Sequence, residues 1–269
     1  MPELPEVEVV RATLDHDLKG RRIEKIDCYY LPIIEETEAF IKLVSNQRIV
    51  RVDRYAKYLI FVLENGCIIS HLRMEGKYFY VKKSYDIQKH QHVVFHLDNE
   101  YKLIYQDVRK FGRMLYKPLE ELHKTPPLSL LGPEGNSLEM PVSCLYEKLK
   151  KSKQPIKSLL LDQSFISGLG NIYANEVLFA ASILPTRTAS SLSLEELKVI
   201  LRESKRILDD AILSKGTTIR SYTSSLGVEG EYQFKLQAHL QKNCPKCKNS
   251  FLVLKIGGRS SYYCSKCQR

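Results

Sequence analysis

Beyond Glu231 the chain has no acidic residue at all. It also has no apolar run of membrane-spanning length, no signal-peptide pattern, no internal repeat and no low-complexity tract. The lack of a spanning run and of a signal-peptide pattern argues against a membrane protein and a secreted one, and leads to the expectation of a cytoplasmic protein with no membrane partner. The missing acids say the most. Net charge is +10 over 269 residues. Residues 1–149 hold 22 basic and 22 acidic residues, whereas residues 150–269 hold 19 and 9, so the whole excess lies in the second part. A one-sided positive field suits a polyanion, most simply nucleic acid.

What is present divides the chain. Hydrophobic content of 43% and charged content of 27% are ordinary for a globular protein, and the length allows two domains. Prolines at positions 2 and 5 stiffen the start. From Pro5 to Leu18, Val7, Val10, Leu14 and Leu18 recur at spacings of three and four, the stripe of an amphipathic helix. Pro5 suits its first turn, and Glu6 lies on the favourable side of its dipole. Residues 21–117 instead read as short β-runs, with hairpin turns at "ENG" and "LDNE". Strands that return this often predict a β-sandwich or barrel rather than βαβ units. The stretch "HKTPPLSLLGPEGNSLEMP" reads as a linker, and helices are predicted over 142–151, 154–164, 171–181 and 193–214. The expected organisation is an α+β multidomain chain: a β-sandwich domain with flanking helices at 1–125, a linker at 126–141, a helical domain at 142–240 and a small β-hairpin at 241–269.

Cys28, Cys67 and Cys144 are scattered, but four cysteines close the chain as "CPKC" and "CSKC". Cys244, Cys247, Cys264 and Cys267 have the spacing of a four-thiolate tetrahedral zinc site. Four protein ligands leave no position for substrate, so the metal is structural, in a hairpin too small to hold itself together. At the tip of that hairpin, "KIGGRSS" projects Arg259 from a tight turn as a candidate phosphate contact. In "SGLGNIYANE" two glycines precede Asn171, which is expected to cap a helix whose N-terminal amides suit a phosphate.

The first residues carry the chemistry. Methionine before proline is normally removed, which exposes Pro2 as a secondary amine. A neutral secondary amine attacks an aldehyde carbon and gives an iminium ion that stays cationic and acts as an electron sink. Glu3 stands next to it as a proton shuttle, and Lys57, on an expected strand, supplies a cation.

Taken together these features resemble the formamidopyrimidine-DNA glycosylase family over essentially the whole chain. The resemblance rests on "PELPEVE" at 2–8, "AKYLIF" at 56–61, "ISHLRMEGKY" at 69–78, "DVRKFGRM" at 107–114, "LLLDQSFISGLGNIYANEVLF" at 159–179 and the cysteine finger. It implies a helix–two-turn–helix domain and a bifunctional glycosylase and abasic-site lyase that excises oxidised purines (8-oxoguanine, formamidopyrimidines) by β,δ-elimination. It makes Pro2 the nucleophile at the sugar C1′, Glu3 the proton donor and acceptor, Glu6 a support near Glu3, and Lys57, His71, Asn171 and Arg259 phosphate contacts. Met74, Arg109 and Phe111 match the residues that fill the gap left by an extruded base. Thr218, Arg220, Ser221 and Tyr222 fall in the segment matching the family's lesion-recognition loop. One structural Zn2+, no catalytic metal or organic cofactor, damaged double-stranded DNA as partner, and a bacterial, nucleoid-associated monomer complete the expectation.

The chain departs from the family pattern at "AHLQKN" (238–243), where a Tyr-Gly pair is usual, and at "GPEGNS" (132–137), which lacks a second proline. Two other readings stand beside the main one. An endonuclease VIII-like enzyme for oxidised pyrimidines is disfavoured by the full set Met74, Arg109 and Phe111. A non-catalytic zinc-finger protein that binds damaged DNA has no need of "PELPEVE".

Overall fold

Helix α1 (Leu4–Leu18) starts at once. Glu3 is its N-cap and forms a capping box with Glu6, which satisfies amides that a helix start otherwise leaves open. The expected stripe Val7, Val10, Leu14 and Leu18 is buried. A computed structural model of the chain describes residues 1–217 and 230–269.

Eight antiparallel strands follow in two four-stranded sheets. They are β1 (Ile23–Cys28), β2 (Ile49–Tyr55), β3 (Tyr58–Leu63), β4 (Gly66–His71), β5 (Lys77–Lys82), β6 (Gln91–Leu97), β7 (Tyr101–Gln106) and β8 (Arg113–Lys117). One sheet runs β1-β6-β7-β5 and the other β2-β3-β4-β8. Both hairpins predicted from turn residues form. Leu63 pairs with Gly66 across Glu64 and Asn65, and β6 returns as β7 through Asp98–Glu100. The two sheets and α1 share one core, which includes Val10, Leu14, Phe61, Tyr78, Phe95 and Met114. Helix α1 also covers β2, an edge strand that would otherwise present unpaired main chain. Asp15 Oδ1 accepts from the Val52 N–H at 2.7 Å, and Arg11 Nη1 donates to the Val52 carbonyl at 3.3 Å.

Helix α2 (Thr37–Val44) lies inside the stretch expected to be all β. Only Phe40 and Val44 are buried, one turn apart, and its N-cap Glu36 has φ 47°, so neither periodicity nor a capping residue announces it.

The second part is helical: α3 (Val142–Lys151), α4 (Ile156–Leu161), α5 (Asn171–Ala180) and α6 (Leu194–Leu213). Helix α4 is shorter than expected because Asp162 Oδ1 takes both the N–H and the hydroxyl of Ser164, at 2.9 and 2.8 Å, and turns the chain out of the helix. Helix α6 starts at a Ser193/Glu196 capping box. Strands β9 (Leu252–Ile256) and β10 (Arg259–Tyr263) form the terminal hairpin, with Gly257 and Gly258 at φ 55° and 74° in its turn.

The chain divides into two compact units. The first comprises Met1–Ser129 and Thr217–Gly230; the second comprises Leu130–Gly216 and Glu231–Arg269. Residues 130–141, linker-like in composition, therefore belong to the second unit, and a segment after α6 returns to the first. Among the described residues, no helix is long and apolar enough to cross a membrane.

Candidate active site

In the first unit, Pro2, Glu3 and Glu6 are all buried at the head of α1. The Glu6 carboxylate is shared between two chain segments. Its Oε2 accepts from the Glu3 N–H and its Oε1 from the Thr217 N–H, both at 2.8 Å. One side chain thus ties the amino terminus to the start of the segment that returns at Thr217. Thr218, Arg220, Ser221 and Tyr222 lie outside the described residues.

Lys57 is buried but does not lie on a strand as expected. It occupies the two-residue turn between β2 and β3, closed by the Tyr55–Tyr58 pair. Ala56 carries the positive φ of 51° that the turn needs. Nothing in "YAKY" advertises such a turn, because neither central residue is Gly, Asn or Asp. Arg54 holds it: its Nε donates to Glu8 Oε2 at 2.8 Å and its Nη1 to the Ala56 carbonyl at 3.0 Å. The Lys57 turn is thereby fastened to α1 two residues past Glu6.

His71 ends β4 opposite Tyr58, with the two rings edge to face at 4.6 Å. Burial, with Arg73 and Lys57 nearby, pulls its pKa down to about 3. The ring is therefore neutral, and Nδ1 accepts from the Arg73 N–H at 2.9 Å. That fixes the tautomer with the proton on Nε2, a neutral N–H donor. Met74 follows in the turn before β5. Arg109 and Phe111 are exposed on the loop between β7 and β8, with the guanidinium 4.8 Å from the centre of the phenyl ring.

In the second unit Asn171 is the first residue of α5, not its cap; Gly170 is the N-cap. The Asn171 side chain has another task. Its Oδ1 accepts from Lys157 Nζ at 2.8 Å, which leaves the Nδ2 hydrogens as the donors of that amide. Lys157 is fully buried on α4 and also donates to the Ser260 carbonyl at 2.9 Å and to Ser261 Oγ at 2.8 Å. One ammonium thus fixes Asn171 and the strand that begins with Arg259. Sequence reasoning missed Lys157; its signal was a lysine inside the apolar run "IKSLLL".

The divergent stretch 238–243 is held by α5. Glu176 accepts the N–H groups of Gln237, Ala238 and His239 at 2.9, 3.0 and 2.7 Å, and Asn175 bonds the His239 ring at 2.8 Å. Burial, with Lys157 nearby, lowers the His239 pKa to about 4.

The four terminal cysteines converge, with all sulfurs within 4.8 Å of one another. Cys244 and Cys267 are 3.8 Å apart, and Cys247 and Cys264 are 3.4 Å apart. Tetrahedral zinc with Zn–S near 2.3 Å requires sulfurs about 3.8 Å apart, so the four side chains fit one ion. Phe179 of α5 and Phe251 pack against Cys244 and Cys264, joining the finger to the helical core. A cavity of about 450 Å³ between α5, α6 and residues 232–245 contains none of the predicted site residues.

A β-sandwich headed by an N-terminal helix, a helical unit and a four-cysteine finger define a zinc-finger DNA glycosylase of base excision repair. Family models match in the same order: the formamidopyrimidine-DNA glycosylase N-terminal domain over residues 1–114, the H2TH domain of that enzyme over 131–223, and the zinc finger found in FPG and IleRS over 242–269. The chain belongs to the formamidopyrimidine-DNA glycosylase family. It is 42% identical to the formamidopyrimidine-DNA glycosylase of Bacillus licheniformis over 275 residues and 41% identical to that of Streptococcus mutans over 272, with 100% of each chain covered. Among solved structures it is similar to a Lactococcus lactis FPG mutant in complex with a Fapy-dG containing DNA (TM-score 0.94, 34% identity, 100% of both chains). It is also similar to the Lactococcus lactis Fpg with an abasic site containing DNA (TM-score 0.92, 33% identity, 99% of both chains). The fold class, the glycosylase assignment and the single structural zinc expected from sequence agree with these findings.

Proposed function

We propose that this chain removes oxidised purines from double-stranded DNA and then cuts the abasic strand, with Pro2 as nucleophile and Glu3 as acid and base. The observation that carries the reading is the construction of the α1 head. Pro2 is buried at the positive end of the helix, and both burial and the dipole disfavour a protonated amine once Met1 is gone. Glu3 follows directly, held in place by its capping role and by Glu6.

The Pro2 nitrogen bonds to C1′ as the base departs with a proton from Glu3. Glu3 takes the proton that the Pro2 nitrogen sheds and passes it to O4′; the C1′–O4′ bond breaks, the sugar opens, and the C1′ iminium that forms makes the C2′ hydrogen acidic. Its removal expels the 3′ phosphate, and a second elimination expels the 5′ phosphate; hydrolysis then frees Pro2. Lys57 and the Nε2–H of His71 serve the phosphates near the lesion, as do the Asn171 amide and Arg259. Met74, Arg109 and Phe111 fill the vacated stack, with Arg109 bonding the orphaned cytosine. Relatives crystallised with Fapy-dG and abasic DNA support the substrate class. In this reading residues 1–125 supply the chemistry, 142–240 and 241–269 the grip on the backbone, and 126–141 the connection. The protein works as a monomer on nucleoid DNA.

Borohydride reduction tests the reading. With duplex DNA carrying 8-oxoguanine opposite cytosine, a covalent protein–DNA band mapping to Pro2 is expected. A band formed with an oxidised pyrimidine but not with 8-oxoguanine would move the chain to the endonuclease VIII branch. Tight binding without a band on any lesion or abasic site would leave a non-catalytic binder.

A further inference from the structure

Met74 lies between β4 and β5, and Arg109 and Phe111 lie between β7 and β8, yet both loops rest on one buried side chain. Tyr105 of β7 is fully buried. A Cβ at Gly76, which ends the Met74 turn, would stand 2.3 Å from the Tyr105 hydroxyl oxygen and 2.6 Å from the Leu72 carbonyl. At Gly112, which ends the other loop, it would stand 1.7 Å from the same hydroxyl. Only glycine permits this approach at either place. The Gly76 N–H closes the Met74 turn on Leu72 at 2.9 Å.

The Tyr105 hydroxyl also lies 3.4 Å from Asp107 Oδ2. Asp107 is itself fully buried, and its carboxylate collects the second loop: it accepts from the N–H groups of Arg109, Phe111 and Gly112 at 3.0, 2.9 and 2.7 Å. The Asp107 main chain is fixed in turn. Its N–H donates to the His90 carbonyl at 3.0 Å. Burial lowers the pKa of His92, and its Nε2 donates to the Asp107 carbonyl at 2.9 Å.

We propose that Tyr105 and Asp107 are positioning residues that hold the Met74 turn and the Arg109–Phe111 loop in one fixed relation, so that the gap-filling side chains enter the stack as a preformed set. The proposal rests on the gap-filling reading above. Three side chains on two loops act together only if their spacing is set beforehand, and a hub touching both loop ends sets it. Asp107 controls the amides of the loop and Tyr105 couples that loop to the other.

The test compares Tyr105→Phe and Asp107→Asn with the wild type, and uses Phe111→Ala to check the underlying reading. Single-turnover excision is measured on 8-oxoguanine duplexes with cytosine or adenine opposite, and strand cleavage on a single-stranded oligonucleotide with a preformed abasic site, which has no stack to fill. Tyr105→Phe should slow duplex excision about ten-fold and Asp107→Asn about a hundred-fold, with single-strand cleavage within about two-fold of wild type. Both should blunt the distinction between cytosine and adenine. Unchanged duplex excision in Tyr105→Phe, or an equal fall on duplex and single strand, would overturn the hub. If Phe111→Ala excises from duplex at the wild-type rate, the gap-filling reading fails, and the hub loses its purpose.

Discussion

Glu3 has two tasks that one substitution separates. Its carboxylate accepts the Glu6 amide as a helix cap, and in the proposed reaction it moves a proton. Glutamine keeps the capping oxygen and loses the proton. Glu3→Gln should therefore fold with a stability within about 1 kcal/mol of wild type while base excision falls by about 10²–10⁴. Denaturant midpoints beside single-turnover rates check this; wild-type excision would remove Glu3 from the proton transfer. Glu6 is the converse case. Each of its oxygens accepts a different amide, Glu3 or Thr217, and glutamine offers one oxygen for both. Glu6→Gln should cost about 1–3 kcal/mol, since one buried N–H loses its partner. His71 supplies a pH dependence. Its pKa falls from the ordinary 6.5 to about 3 on folding, so the unfolded chain binds the extra proton between those values. The contribution of His71 to stability is full above pH 6.5 and is lost as pH falls toward 3, with a slope of at most about 1.4 kcal/mol per pH unit from this residue. Urea midpoints from pH 7 to 4 should show a shallower fall in His71→Gln than in wild type.

Elements that announce themselves by period or by capping chemistry were legible in the sequence: α1, α3, α6, the two turn-marked hairpins and the cysteine finger. What escaped was decided by contacts distant in the chain. Helix α2 has two buried positions and an N-cap at φ 47°. Lys57 reads as a strand residue because its turn is held by Arg54 and Glu8 rather than by turn residues. Asn171 was found but placed one position early, because "GLGN" contains two candidates for a cap and Gly170, in extended conformation, takes that place. Lys157 shows the consequence for function, since α4, beside its buried apolar side chains, places the ammonium that fixes Asn171. Lys157→Met keeps the volume and removes the donor shared by Asn171 Oδ1, the Ser260 carbonyl and Ser261 Oγ. DNA affinity at fixed salt should drop at least ten-fold, on the order of 1.4 kcal/mol, with one zinc still bound per chain. Metal analysis and fluorescence anisotropy together decide this. Loss of zinc along with affinity would mean that Lys157 holds up the finger rather than orienting its tip.

For the whole molecule, the distribution of charge bears on how DNA is held. Every net positive charge belongs to residues 150–269, and the stretch after Glu231 has only basic charges. Those charges sit on a frame that its zinc and packing make stiff: the finger packs on α5 through Phe179 and Phe251, and Lys157 fastens the Arg259 hairpin to α4 and α5. Contacts from such a frame to phosphates release counterions, so the logarithm of affinity should fall linearly with the logarithm of salt concentration, by about 0.9 per phosphate neutralised. Arg259 stands beside the glycine turn of the hairpin, exposed and away from the zinc ligands. Arg259→Ala should therefore lower affinity to a similar degree for lesion and undamaged duplexes, reduce the salt slope by about 1 and leave zinc content intact. Arg109→Ala should do the opposite, with little change in slope but a weaker distinction between cytosine and other bases opposite the lesion. Anisotropy titrations at several salt concentrations, on matched lesion and control duplexes, separate the two. An Arg259→Ala slope equal to wild type would show that the positive half acts as a diffuse field rather than through this turn. Equal slope losses in both variants would mean that Arg109 binds backbone and reads no base.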